Sequence, residues 1–367
     1  MNIYFLFAGT VHELSEIVYV LKGEIIQELL VESGESGSLL IPLMNSILAD
    51  IQERLIFRAQ TLIRDEVGNH TPSESDIDYP EKLEIARKSG TNDLSTWYPP
   101  LEKTLKCLGH LYRCVEESTF SGLAQEAVTL CSDNLGLASK VIARTKGNMN
   151  GQLFLIKHLL ILREQIAPFN TDFCVAVKEL DFSHLGTQMK RILEGEISLF
   201  AMTPENALMV ISSEGRPRVI QSTMDSRKEL EKQLKLACET FILFITKILV
   251  GPILGFITKA TAIQVSKSRH EESLSNSAFS SVDKLKEIVL DVDKAIDCKL
   301  PEIIGSMNLY IHSTDTKIIL LNPIFSNVIE AHIQFSQLLC SEYDSATIET
   351  IGCRGTDSLE GIFRKYI

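Results

Sequence analysis

Three side chains that can bind zinc are regularly spaced along one predicted helix. Cys107, His110 and Cys114 occupy positions i, i+3 and i+7, a spacing that places them on one side of a helix. A structural zinc site needs four ligands, and no fourth lies at a customary spacing. The neighbouring Leu108 and Leu111 are apolar, as the buried stripe of a core helix requires. The pattern favours thiols buried in a core over a zinc site.

The histidines elsewhere suggest little chemistry. His184 follows Asp181 by three residues, a spacing at which a carboxylate can orient an imidazole, but no nucleophile or second base is recognisable nearby. His158 and Lys157 lie on a predicted polar helix edge, where we expect a solvated or hydrogen-bonded imidazole. The sequence has no glycine-rich phosphate loop, HExxH motif or EF-hand loop. It therefore predicts no catalytic residue, cofactor site or metal site, and no enzyme.

The segment "GQLFLIKHLLILREQIAPFN", residues 151–170, predicts a helix that packs on two sides. One apolar stripe at helical spacing consists of Leu155, Leu159, Leu162 and Ile166. Three further residues widen it: Leu153, Ile156 and Leu160. Pro168 disfavours helix at Ala167 and is expected to end the element. Charged residues inside this short window exclude a membrane span.

Residues 241–257, "FILFITKILVGPILGFI", form the strongest membrane candidate. These seventeen residues are apolar except for Thr246 and Lys247. A span needs about 20 apolar residues, and a central lysine costs about 2.5–3.5 kcal/mol on insertion scales. Gly251 and Pro252 also interrupt the run. A buried helix broken at Pro252 is favoured, and a membrane anchor through these residues is the alternative.

The composition indicates a globular protein and argues against nucleic-acid binding. The 367 residues are 45% hydrophobic and 23% charged, with a net charge of −12, whereas phosphate binding requires concentrated Lys and Arg. The eight cysteines lack CxxC spacing, which is typical of buried thiols in a reducing compartment. The apolar start, residues 3–8, has no basic residue before it and is interpreted as a lead into the first helix, not a signal peptide.

Helical periodicity dominates the chain and predicts an all-α fold. The pattern divides it into a helical segment (1–66), a flexible connector (67–100), a central helical bundle (101–265), a Ser-rich loop (266–281) and a C-terminal helical region (282–367). Within the central part, residues 177–199 form a further amphipathic segment. No repeat of fixed period is present.

Several blocks of sequence resemble one known family, in the same order. They are "IQERLIFRAQ", "DYPEKL", "WYPPLEKTLKCLGHLYRC", "FSGLAQEAV", the segment at 151–170 and "DSRKELEKQLKLACETFI". More loosely similar are "KLPEIIGSMNLYIHSTDT" and "ILLNP". All resemble the central and C-terminal parts of the third subunit of the conserved oligomeric Golgi complex, from about residue 51 to residue 263 and more thinly afterwards.

This resemblance implies a fold, a function and a set of partners. The fold would be an elongated rod of successive helical bundles, as in multisubunit vesicle-tethering complexes. The function would be that of a non-catalytic scaffold subunit in intra-Golgi retrograde transport and protein trafficking, attached peripherally to the cytosolic face of Golgi membranes. Its partners would be sister subunits, SNAREs, Rab GTPases and coiled-coil tethers. The chain departs from the family in two ways. It is expected to begin near the middle of the longer family members, and residues 241–257 are unusually apolar.

Overall fold

The computed structural model describes residues 9–30, 37, 39–90, 93–169, 174–181, 218–266 and 279–366. In chain order the α-helices are α1 (Val11–Tyr19), α2 (Ile41–Leu62), α3 (Glu81–Ser89), α4 (Pro99–Leu111), α5 (Glu117–Thr145), α6 (Asn148–Ile166), α7 (Ser226–Ser266), α8 (Val282–Lys294), α9 (Leu300–Tyr310), α10 (Thr314–Glu342), α11 (Ser345–Ile351) and α12 (Thr356–Phe363). Three π-helical segments extend α1, α2 and α8: Val20–Leu30, Ile63–Gly68 and Ala295–Lys299. The predicted all-α fold class is confirmed.

Helix α1 begins at a capping box. The Thr10 side chain accepts a hydrogen bond from the Glu13 amide, and the Glu13 carboxylate accepts one from the Thr10 amide. These bonds satisfy amides that have no partner inside the first turn. Backbone hydrogen bonds from Thr10 and then Gly9 lower the pKa of the Glu13 carboxyl. The helix therefore starts at a position that its local sequence specifies.

Helices α5 and α6 meet at an unusually close approach. Gly147, at φ +96°, occupies the left-handed region just before α6, which glycine adopts without steric cost. Farther along, Ser139 Oγ donates to the Gly151 carbonyl at 2.8 Å. A Cβ atom on Gly151 would lie 2.6 Å from the Ser139 carbonyl oxygen and 2.8 Å from Ala143 Cβ. Only glycine at position 151 allows the two helices to approach this closely.

One pair of strands departs from the helical pattern. Strand β1 (Cys174–Asp181) pairs antiparallel with β2 (Arg218–Asp225), with Cys174 opposite Asp225. The predicted amphipathic segment at 177–199 therefore begins in a strand, and its remainder, including His184, lies outside the described residues. Most of the Ser-rich loop at 266–281 also lies outside them.

The segment 67–100 contains more structure than a connector. It contains α3 and the 3₁₀ turn Asp93–Thr96, and both Tyr79 and Tyr98 are fully buried. Helix α3 ends at Gly90 in the left-handed conformation, a common helix terminator. The prolines and glycines correctly predict the absence of one continuous helix, but the aromatic residues between them join a core.

Contacts between Cα atoms divide the chain into two compact units. Unit 1 comprises Met1–Ile63, Cys107–Thr129 and Phe169–Glu229. Within it, α1 packs on α2, and the rings of Tyr112, Phe120 and Phe169 contact each other with centroids 5.1–5.5 Å apart. These buried and half-buried aromatic rings pack together beside the turn between α4 and α5.

Unit 2 comprises Arg64–Lys106, Leu130–Pro168 and Leu230–Ile367. Its core contains Tyr79, Tyr98 and Phe154, whose rings meet edge to face. Near the end of the chain, the Phe325 and Phe363 rings stack at 4.2 Å and join α10 to α12. Helix α9 packs against α6 and α3 in the same unit.

Candidate functional site

The three zinc candidates do not share a helix face. Helix α4 ends at Leu111, and Arg113 has φ +67°, so Cys114 lies in a turn beyond the helix. Cys114 Sγ donates to the Ser15 carbonyl at 3.7 Å, whereas the His110 ring contacts the His12 ring at 4.7 Å. The spacing argument required helix through Cys114 and was wrong on this point. The described part of the chain contains no group of three or more potential metal ligands.

Burial keeps the thiols of Cys107 and Cys114 protonated. Cys107 is 2% exposed, and burial raises the pKa of its thiol to about 12. Burial also raises the pKa of Cys114, against a smaller lowering by Lys22. A thiol binds zinc or attacks an electrophile as the thiolate. These two cysteines therefore act as small core residues, as the apolar stripe predicted.

His158 lies at the centre of a buried polar cluster in unit 2. Its Nδ1 lies 2.8 Å from the Phe154 carbonyl oxygen, to which it donates a hydrogen bond. Its Nε2 accepts from the Tyr98 backbone amide at 3.3 Å. The Tyr79 hydroxyl donates to the Thr96 carbonyl at 2.6 Å. Burial lowers the pKa of His158 to about 3, so the ring is neutral with its proton on Nδ1.

Lys157 is buried beside this imidazole. It is 5% exposed, and its Nζ donates to Thr96 Oγ1 at 3.2 Å. The predicted polar edge of α6 is therefore wrong for Lys157 and His158, although the predicted hydrogen bonding of His158 is confirmed. The segment 96–98 covers this side of α6, so the helix is buried on two sides as its wide apolar stripe predicted. Arg163 and Glu164, both between one and two turns later, are exposed.

A groove follows the outer side of this cluster. Its volume is about 260 Å³, and its apolar lining includes Trp97, Leu160, Ile161 and Ile311. Polar residues complete its lining: Lys157, Glu164, Gln165, His312, Ser313 and Thr316, with the Tyr310 ring. The groove brings together both charge signs, from Lys157 and Glu164.

Asp181 and His184 have no described geometry as a pair. Asp181 is the last residue of β1, opposite Arg218 in the strand register. The position of His184 lies outside the described residues, so an imidazole oriented by Asp181 stays a prediction. Another pair involves a buried histidine of unit 2: Cys353 Sγ lies 4.0 Å from His332 Nδ1. Burial lowers the pKa of His332 to about 4 and raises that of Cys353, so neither group is poised for nucleophilic chemistry.

Two described helices pass a length and hydropathy criterion for membrane spans, Ser226–Ile263 and Thr314–Glu342. In the first, Val250 has non-helical dihedrals and Pro252 follows, so the predicted break is confirmed. Its buried residues recur at helical spacing: Phe241, Ile245, Leu249, Ile253, Phe256 and Ala260. The Phe256 ring also meets Phe335 of α10 edge to face at 5.4 Å. This stripe is part of the unit 2 core, which disfavours the membrane-anchor alternative.

Comparison with known families accounts for most of the chain. Residues 4–185 match the family model described as conserved oligomeric Golgi complex subunit 3, C-terminal. Residues 233–364 match the COG3 C-terminal cap domain. The chain belongs to the family of conserved oligomeric Golgi complex subunit 3. The candidate groove and the buried His158 both involve residues of the first matched region, and the cap domain contains most of α7 and all of α8 to α12.

Individual relatives agree with the family models. Conserved oligomeric Golgi complex subunit 3 of Drosophila melanogaster is 34% identical, over 89% of this chain and 42% of the relative. The Dictyostelium discoideum protein of that name is also 34% identical, over 92% of this chain and 39% of the relative. The Homo sapiens protein is 31% identical, over 94% of this chain and 48% of the relative. The chain thus spans less than half the length of these curated relatives, and no solved structure matches it.

Proposed function

We propose that this chain is a non-catalytic scaffold region of a subunit of a Golgi vesicle-tethering complex, acting in intra-Golgi retrograde transport. The observation that carries the proposal is the match to two successive domains of one family, at 4–185 and 233–364. The name of the family describes a subunit of an oligomeric Golgi complex. The buried titratable side chains described above are hydrogen-bonded or protonated parts of cores, which is consistent with a scaffold.

The mechanism is geometric. Amphipathic helices bury one face in a bundle, and the exposed ends and grooves remain for partner proteins. Successive bundles in a rod would separate binding surfaces along its length. A tether that binds two membranes, directly or through partners, raises the effective concentration of the fusion proteins on them. This work needs rigid packing and binding surfaces, and no chemical step.

The proposed partners are the other subunits of the complex, with SNAREs, Rab GTPases and coiled-coil tethers as further ligands. The proposed location is the cytosolic face of Golgi membranes, with peripheral attachment. The half-exposed Trp97 beside its groove is a candidate anchor for a protein partner, because aromatic residues in pockets dominate many interfaces. A net charge of −12 makes direct adhesion of the whole chain to an anionic membrane unfavourable.

Affinity purification of the tagged chain from cells tests complex membership. We expect the other subunits of the Golgi complex to co-purify and the tag to colocalise with Golgi membranes. The control variant is Lys284→Glu on α8, an exposed position outside the groove lining. It should co-purify and colocalise like the unmodified chain. A diffuse tag that recovers no subunit of the complex would contradict the proposal.

Alkaline carbonate extraction of the membrane fraction tests peripheral attachment. The proposal expects the chain in the supernatant, because carbonate strips proteins held by protein contacts. An integral Golgi protein serves as the control that stays with the pellet. Retention of the chain in that pellet would favour insertion of the apolar helix at 241–257 instead.

A further inference from the structure

A small cavity lies between α9, α10 and the end of the chain. Its volume is about 200 Å³. The buried Met307 and Leu321 form its floor, and the half-buried Ile304, Ile318 and Tyr366 form its walls. Sites for cofactors and drug-sized ligands measure about 300–1,000 Å³. The cavity is below that range and suits a single anchoring side chain.

The rim of this cavity is basic. Lys317 and Lys365 both line it, together with the exposed Asn308 and Thr314, and no lining residue is Asp or Glu. Lys317 Nζ donates to Asn308 Oδ1 at 2.9 Å, which uses one of its three donors. Neither lysine forms an ion pair with a carboxylate among the residues that the structure describes. Thr314 is the first residue of α10, so the positive end of that helix dipole acts in the same direction.

An apolar floor under a basic rim fits one kind of occupant. We propose that this cavity binds a segment of another polypeptide of the complex, which inserts one apolar side chain and places a neighbouring carboxylate against Lys317 and Lys365. The inference rests on the proposed function as a complex subunit. Buried anchors surrounded by polar rims are the usual anatomy of protein interfaces.

Two alternatives fit the cavity less well. Recognition of an anionic membrane typically uses clusters of four to eight basic residues, whereas only two lysines line this cavity. Tight recognition of a free phosphate favours the bidentate fork of arginine, and no arginine is in the lining. A polypeptide carboxylate beside an apolar side chain suits both the small basic rim and the apolar floor.

Binding of this chain to the purified remaining subunits tests the inference. The double variant Lys317→Glu/Lys365→Glu should weaken the affinity by about tenfold or more, because each reversal replaces an attraction with a repulsion. The milder Lys317→Gln/Lys365→Gln variant should weaken it less, and added salt should reduce both effects. Lys284→Glu/Lys294→Glu on α8 carries the same charge change at exposed positions outside the cavity and should bind like the unmodified chain. Circular dichroism confirms that each variant is folded.

A photo-crosslinking residue at position 366 identifies the occupant. The crosslinked peptide, read by mass spectrometry, should contain an apolar residue next to Asp or Glu. Reversing that acid to Lys should restore binding of the Lys317→Glu/Lys365→Glu variant.

Three outcomes would overturn the inference. In the first, both double variants of Lys317 and Lys365 bind the remaining subunits as tightly as the unmodified chain does. In the second, the crosslinked segment contains no Asp or Glu. In the third, the variants lose only their binding to phosphatidylcholine–phosphatidylserine vesicles. If instead the unmodified chain binds none of the subunits, the proposed function itself fails.

Discussion

The backbone amide of Tyr98 donates to Nε2 of His158 across sixty residues of sequence. This bond and the Nδ1 bond to the Phe154 carbonyl use both ring nitrogens, one as acceptor and one as donor. Only the neutral imidazole has this combination. The fold of unit 2 therefore depends on an uncharged His158 between α6 and the segment that precedes α4.

The neutral His158 predicts a loss of stability in acid. Its pKa is about 3 in the folded chain and about 6.5 when unfolded. Between these values only the unfolded chain binds the proton, so the free energy of unfolding falls as pH falls below about 6.5. The fall is about 2 kcal/mol from pH 7 to pH 5 for this group. Burial also lowers the pKa of His332, to about 4, which adds in the same direction.

Urea denaturation at pH 7 and pH 5 measures this effect. The His158→Gln variant should be less stable at pH 7, because it loses packing and hydrogen bonds, but it should lose less stability on acidification than the unmodified chain. Leu243→Ala, at an exposed position, removes no titratable group and should keep the full pH dependence. If His158→Gln and the unmodified chain lost the same free energy of unfolding between pH 7 and pH 5, this imidazole would not take up a proton on unfolding.

Local pattern predicted the helices well, because apolar spacing and helix-ending residues act within a few turns. The closure of α6 before Pro168 and the break of α7 near Pro252 are examples. The burial of Lys157 and His158 was not predictable in this way, since residues 96–98 that cover them are distant in sequence. The antiparallel pair of β1 and β2 likewise depends on contacts between separated segments.

The position of Cys114 outside α4 has a local cause that the sequence does not signal. Arg113 adopts a positive φ, which is uncommon for a residue with a side chain, so nothing in the residue type predicts the end of α4 before Cys114. The burial of Cys107 was predicted from its apolar neighbours and is observed. The domain boundaries and the arrangement of bundles into a rod stay predictions.

Gly151→Ala should destabilise unit 2 through the close contact of α5 and α6. Alanine normally favours a helix over glycine by about 1 kcal/mol, but here its Cβ would lie 2.6 Å from the Ser139 carbonyl oxygen. Overpacking of this kind costs about 1–3 kcal/mol. The control is Gly136→Ala on α5, where nothing lies within 4 Å of the new Cβ, and which should be stabilising. Thermal denaturation of both variants distinguishes them, and a rise in melting temperature for Gly151→Ala would refute the close approach.

Helix α7 should respond to truncation on one face only. Phe241 is fully buried and Leu243 is 66% exposed. Phe241→Ala should therefore lower the free energy of unfolding by about 3–5 kcal/mol, whereas Leu243→Ala should change it by less than about 0.5 kcal/mol. Chemical denaturation of the purified chain without detergent measures both. Equal effects of the two truncations would contradict the placement of this helix in the core.

The cysteines should differ in their rates of alkylation. Burial raises the pKa of Cys107 and of Cys131 to about 12, and both are shielded from reagent. Cys298 and Cys340 are exposed. Mass spectrometry after brief iodoacetamide treatment at pH 8 should find label at the two exposed cysteines and almost none at the two buried ones, because reaction requires an accessible thiolate. Treatment in urea, the control, should label all four. Early labelling of Cys107 in the folded chain would mean that α4 is not packed as the structure describes. If Cys107 instead stayed unlabelled in urea until a zinc chelator was added, the result would support zinc binding at this residue.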